Sequence, residues 1–178
     1  MKALTHYIFS AGASLYALSA FGQLSWYSIA FALWLSLSIN YVIDALGHSI
    51  VGTPSRTRLT HSIFTAPLWG AVISSISVCI FSRAVSSGPE LAALGFWTTA
   101  GILIALGHLF LDSMTQAGVY YWRNRMAIAH FKYDNLALNT AFILAGLGLT
   151  FLAILQSTPP SPIPPIPLSF VENFVIIA

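Results

Sequence analysis

Charge is scarce in this chain. Seven Lys or Arg and five Asp or Glu are spread over 178 residues, 7% of the sequence, against roughly 25% in an ordinary soluble domain. That scarcity excludes a solvated globular surface. Cysteine occurs once, as Cys79 inside an apolar run, which excludes a disulfide framework. The alternating strands that build membrane barrels are not visible, and no internal repeat stands out. A net charge of +2 gives no footing for nucleic acid, which is read through dense basic patches. What the chain has in abundance is apolar surface: 57% hydrophobic residues and a mean hydropathy of +0.79. The expected architecture is an all-α, polytopic membrane bundle of one domain over residues 1–156, followed by a proline-rich tail over residues 157–178.

A helix needs about 20 residues to cross the hydrocarbon core, and five runs approach or exceed that length. They are Leu4 to Phe21, Leu24 to Leu46, Ser62 to Phe81, Leu91 to Met114 and Leu136 to Leu155. Breakers separate them: Gly22 and Gln23; Gly47, Gly52 and Pro54; Gly88 and Pro89. The tail segment "STPPSPIPPIP" holds six of the nine prolines and reads as an extended strap, since proline cannot sit in a helix interior. The last stretch, "LSFVENFVIIA", is too short to span. The first run has a basic residue, an apolar stretch and small residues near Ala20, the ingredients of a signal peptide. A single Lys2 is a weak basic region, however, and a second span follows at once, so the segment is read as the first helix.

Threading five spans back and forth puts Lys2, Arg56, Arg58, Arg123, Arg125 and Lys132 on one side and leaves Arg83 on the other. The positive-inside rule makes the first side, with the N-terminus, cytoplasmic. The expected localisation is a multi-pass integral membrane protein. The histidines follow the same partition: His6, His48, His61, His108 and His130 all fall on that side. The aromatic and basic stretch "VYYWRNR" reads most simply as an interfacial belt.

Two pairs then stand out. His108 and Asp112 are four residues apart near the end of one span, and Asp44 and His48 repeat that spacing in reverse order near the end of another. On a helix, residues i and i+4 share a face. His6 and His61 begin spans that leave the same side, so several helices aim imidazole or carboxylate groups into one cavity. Ionisable groups in spans are costly unless paired or turned inward. A mixed nitrogen and oxygen set suits zinc, manganese or iron better than copper(I) or calcium. The pairs also have a plainer reading as hydrogen bonds between packed helices, which are worth about 0.6 kcal/mol on average in membranes.

The motifs "LTHYIF", "IDALGH", "RTRLTHSIF" and "GHLFLDSMTQAGV" resemble those of the membrane-bound predicted metal-dependent hydrolases, which include the LexA-binding inner-membrane group; the version here is most similar to an uncharacterised archaeal branch. The resemblance covers roughly residues 4 to 145. It implies that His6, Asp44, His48, Arg58, His61, His108, Asp112 and Thr115 are the polar motif positions, and it implies a hydrolase. "DALGH" replaces the more usual pair of closely spaced aspartates and a His, which lowers the carboxylate count.

The expectation is one divalent metal, zinc before manganese or iron, held by His48, His61, His108 and Asp112 with His6 as an alternative ligand. Asp44 would orient a ligand or take a proton, and Arg58, with Arg56 behind it, would hold an anionic ester. The expected partners are the bilayer, a lipid or anionic small-molecule substrate and a second copy in a homo-oligomer. Two rival classes use the same residues differently: a transport or proton-relay protein, and a scaffold that recruits partners through the tail.

Overall fold

The computed structural model describes residues 1–22, 24–47, 56–84 and 91–157. His48 and the proline-rich strap lie outside the described residues. Among the described residues five helices carry the fold: α1 (Ala3–Ala20), α2 (Trp26–Gly47), α3 (Thr65–Ala84), α4 (Leu91–Ser113) and α5 (Leu136–Gln156). An all-α bundle is therefore present.

Local chemistry sets the helix ends. α1 stops where Gly22 takes a left-handed φ of 67°, a conformation glycine adopts without steric cost. Before α2, the Ser28 N–H donates to Ser25 Oγ at 3.1 Å, and the Ser25 N–H donates to Ser28 Oγ at 2.6 Å. These reciprocal bonds satisfy backbone donors that a helix start leaves orphaned. At α5 the Asn135 side chain accepts from the Leu138 N–H at 2.9 Å.

Among the described residues four helices, α2 to α5, are long and apolar enough to cross a membrane, where the sequence suggested five. The difference is α1, whose inward side holds Thr5, His6, Ser10, Ser14 and Ser19, all buried. Those polar groups lower its apolarity because α1 is lined up against the other helices rather than turned wholly outward. The outer surface suits lipid: Leu144, Phe151 and Leu155 of α5 are exposed, a display that would drive association in water.

Phe31, Leu35, Ile39 and Ile43 of α2 interlock with Val78 of α3 and with Ile104, Ala105 and Leu109 of α4. A second cluster joins Leu15 and Leu18 of α1 to Ala32 and Ala153. Glycines let the backbones approach. A Cβ on Gly12 would overlap Gly146, one on Gly146 would overlap the Ile8 carbonyl, and Gly70 and Gly101 face each other across α3 and α4 in the same way. Small residues serve this purpose in membrane bundles, where lipid gives helices little hydrophobic reason to associate. Gly146→Val is accordingly expected to cost about 1–3 kcal/mol through overpacking, read as a lower unfolding midpoint in detergent. An unchanged midpoint would contradict the close α1–α5 approach.

One connection is more ordered than its composition suggested. Within "VYYWRNR", β1 (Val119–Tyr121) pairs antiparallel with β2 (Asn124–Met126), and the turn is made with Trp122 at a positive φ of 56°. This hairpin packs over the end of the bundle where α1 begins and α2 and α4 finish.

Candidate metal centre

The centre is assembled at that end from three helices and one connection. α4 contributes His108 and Asp112, one turn apart. α2 contributes Asn40 and Asp44, again i and i+4, and α1 contributes His6. The connection before α3 supplies Arg56, Thr60 and His61, and backbone bonds hold it in place. The Tyr120 N–H donates to His61 O at 2.8 Å, the Ile63 N–H donates to Tyr120 O at 3.1 Å, and the Thr57 N–H donates to Gly47 O at 2.7 Å. A Cβ on Gly47 would strike the His61 ring, so the bare glycine at the end of α2 makes room for that imidazole.

His6, His61, His108 and Asp112 are each almost wholly enclosed. The two oxygens of Asp112 have different surroundings. Oδ1 faces three donors: Arg56 Nη2 at 2.6 Å, the Met1 amino group at 3.1 Å and His6 Nε2 at 3.2 Å. Oδ2 is buried and accepts no hydrogen bond, although His108 Nε2 lies 3.3 Å and His61 Nε2 3.4 Å away. Asp44 Oδ1 faces the same two nitrogens from farther off, 3.5 Å from His108 and 3.8 Å from His61. The His6 ring stacks on that of His108, with centroids 4.1 Å apart.

The tautomers follow from neighbouring groups. The Asn40 amide donates from Nδ2 to Ser36 O at 2.6 Å, which turns its Oδ1 towards His108 Nδ1 at 2.8 Å. An amide oxygen only accepts, so His108 Nδ1 carries a proton and, in the neutral ring, Nε2 is a bare lone pair. His61 has the same arrangement. The Thr60 hydroxyl donates its one proton to Ile43 O at 2.9 Å and therefore accepts from His61 Nδ1 at 3.0 Å. Both imidazoles thus present Nε2 lone pairs towards carboxylate oxygens.

Lone pair facing lone pair is unfavourable unless positive charge lies between them. The residues fit a divalent ion: ligands about 2.0–2.1 Å from a four-coordinate zinc stand roughly 3.3–3.4 Å from one another. The observed separations between the Nε2 atoms and Asp112 Oδ2 match that. Among the described residues two sets of donors are gathered closely enough to hold an ion, His6 with His108 and Asp112, and Asp44 with His61 and His108. Both need His108, which has only one free Nε2, so the arrangement suits one ion. A proton is the competing charge. Burial pushes the His61 imidazole down, the Asp112 and Asp44 carboxylates that face it push it up, and the net direction is up.

Outer groups that orient metal-binding histidines are typically worth 10–100-fold in metal affinity. Asn40→Leu is expected to weaken binding within that range by freeing the His108 ring, measured by titration with a competing chelator. Unaltered affinity would show that the ring is not oriented through Nδ1.

Of the residues singled out in the sequence, the structure brings together His6, Asp44, His61, His108 and Asp112. Arg58 is not among them: it is exposed, with its guanidinium 5.6 Å from the Tyr120 ring centroid. Arg56 is the arginine that reaches inward. Besides Asp112, it donates from Nη1 to Gly118 O at 2.8 Å and to Thr115 Oγ1 at 3.3 Å. His130 is exposed. Asn40 and Thr60 were missed as orienting groups. The only signal for Asn40 was a polar residue four positions before Asp44 inside an apolar run.

Residues 1–111 match the model of DUF1286, a family described as protein of unknown function. No curated protein and no solved structure matches the chain.

Proposed function

The chain belongs to the DUF1286 family, which brings no named activity with it, and from its own side chains we propose a membrane-embedded, metal-dependent hydrolase. It would act at the cytoplasmic face on a lipid or phosphoester substrate. The orientation is supported by six of seven Lys and Arg residues falling on the side of the cluster. The observation that carries the metal is the pairing of two buried acceptors, His108 Nε2 and Asp112 Oδ2, 3.3 Å apart.

His61, His108 and Asp112 would hold the ion, with zinc ahead of manganese or iron for this mixed donor set. Three protein ligands leave a position open, as catalytic rather than structural sites do. Bound there, the ion would supply Lewis acidity and a water ionisable near neutral pH. The rest is the work of the chain. Asp44, set farther from both imidazoles and partly exposed, would accept the proton of the attacking water. His6, a ligand candidate in the sequence, is placed to donate to Asp112 Oδ1. Arg56 has its donors committed to Asp112, Thr115 and Gly118, so it fixes the carboxylate. Arg58 would meet an anionic group only at the surface.

The proton-relay reading finds less support. Among the described residues, the buried polar side chains farther along the bundle include Ser14, Ser28, Ser74 and Ser77, which do not titrate. Ser14 and Ser74 donate to carbonyls of their own helices.

The test is hydrolysis of phosphoesters and carboxylesters by zinc-loaded protein in detergent. Activity should vanish on chelation, return with zinc, and fall about 10²–10⁴-fold in Asp44→Asn, the usual loss for a general base, with metal content retained. A metal-loaded protein indifferent to Asp44→Asn would contradict Asp44 as the base.

A further inference from the structure

We infer that the substrate enters from the lipid, through the edge of the site between α1 and α2, and is a membrane amphiphile cleaved at head-group depth. This rests on the hydrolase reading and narrows it from any ester to one delivered by the bilayer.

The centre is closed on nearly every side. Side-chain exposure is 0–1% for His6, His61, His108 and Asp112 but 29% for Asp44. Asp44 is therefore where a substrate can reach the cluster, and its position on α2 tells what lies outside. Residues i−7 and i−3 share a helix face with i, and for Asp44 these are Leu37, 50% exposed, and Tyr41, 65% exposed. On the inner flank stands Asn40, fully buried. Asp44 thus sits on the border between the packed side of α2 and the stripe of apolar and aromatic side chains that such a helix turns to lipid.

Across from it, α1 lines the other side of the edge. Ser36 Oγ donates to Tyr7 O at 2.9 Å, which joins the two helices about two turns deeper than Asp44. Tyr7 is half-buried. Leu4, one turn earlier on α1, is exposed. The edge is therefore framed by two tyrosines and two leucines, with the one accessible carboxylate between them. Tyrosine belongs at the level of lipid head groups, where its ring is dry and its hydroxyl wet. Depth agrees: Asp44 is three residues from the end of α2, about 4.5 Å at 1.5 Å per residue, which places it beside the ester and phosphate linkages of a lipid rather than its tails.

The test reads the opening directly. In a Cys79→Ser background, Tyr41→Cys and Tyr7→Cys are labelled with a nitroxide in zinc-loaded protein in phospholipid vesicles. Collision with oxygen, which partitions into lipid, is compared with collision with a water-soluble nickel chelate. Leu37→Cys serves as the lipid-facing reference and Arg125→Cys, on the hairpin, as the aqueous one. Labels at Tyr41 and Tyr7 should resemble the one at Leu37, with an oxygen-to-chelate ratio several-fold above that at Arg125. Chelate access at Tyr7 or Tyr41 equal to that at Arg125 would overturn lateral entry. If Tyr7→Cys does not fold, Tyr41→Cys on the outer surface decides alone. Zinc is assayed in every sample: retained zinc with an aqueous opening defeats only the route, whereas absence of zinc defeats the hydrolase reading on which it rests.

Discussion

Asp112→Asn is expected to destabilise the fold by about 3–5 kcal/mol, the cost of removing one partner from a buried ion pair. The amide matches the carboxylate in shape, so packing is preserved and the loss is one of charge. Arg56 is the main casualty. Its Nη2 lies 2.6 Å from Asp112 Oδ1, with its side chain only 10% exposed, and it would keep a buried positive charge without an anion beside it. The amide nitrogen would meet the guanidinium donor against donor, so it turns to the Nε2 lone pairs of His61 and His108 and leaves Arg56 only a neutral amide oxygen. The measurement is denaturant or thermal unfolding in one detergent, wild type beside variant. A loss below about 1 kcal/mol, the scale of an exposed pair, would show that Asp112 is not the electrostatic hub of this end of the bundle. Arg56→Met, which removes the cation instead, should lose less when combined with Asp112→Asn than the two single losses added together, because the pair acts as a unit.

His108→Ala is expected to abolish stable metal binding, since both sets of donors depend on its single Nε2. The consequence reaches stability through mass action. An ion present at about 1,000 times its dissociation constant stabilises the state that binds it by about 4 kcal/mol. Adding zinc should therefore raise the unfolding midpoint of the wild type and leave that of His108→Ala unmoved, while a chelator brings the two together. Equal responses to zinc in both proteins would place the ion elsewhere. His108→Ala and Asp112→Asn thus separate two roles that one cluster combines: His108 answers to the metal, and Asp112 answers to the metal and to the fold.

Much of the bundle was legible in the sequence because a membrane-spanning helix states its length in apolar residues. The run expected from Leu24 to Leu46 is α2 at Trp26–Gly47, and the run from Leu136 to Leu155 is α5 at Leu136–Gln156. α3 begins later than its apolar run, at Thr65 instead of Ser62, because Ile63 is tied by its N–H to Tyr120 and belongs to the segment that presents His61. The hairpin was not legible. Its strands are three residues each, too short for alternation to register, and its turn places Trp122 at positive φ, where sequence rules look for glycine or asparagine.

The candidate site was legible to the extent that helices impose a spacing. His108 and Asp112 announce a shared face four residues apart, and Asp44 recurs near the end of another helix. A connection has no period, and the sequence put Arg58, a motif position of the resemblance, ahead of Arg56, two residues away. Tertiary packing decided otherwise, turning Arg56 in towards Asp112 and leaving Arg58 over Tyr120. Asn40 and Thr60 were hidden for another reason. They are neutral, and their part is to fix which ring nitrogen of His108 and His61 holds a proton, a matter of three-dimensional acceptors that no spacing reveals.

The central claim is that a divalent ion belongs between the Nε2 atoms of His61 and His108 and Oδ2 of Asp112. The most direct test is the metal-to-protein ratio of the wild-type protein, equilibrated with zinc in detergent and then dialysed free of unbound metal. The account predicts about one ion per chain, as a single shared His108 Nε2 requires. A ratio near zero in folded protein would contradict it, and would leave the cluster held together by protons on its histidines.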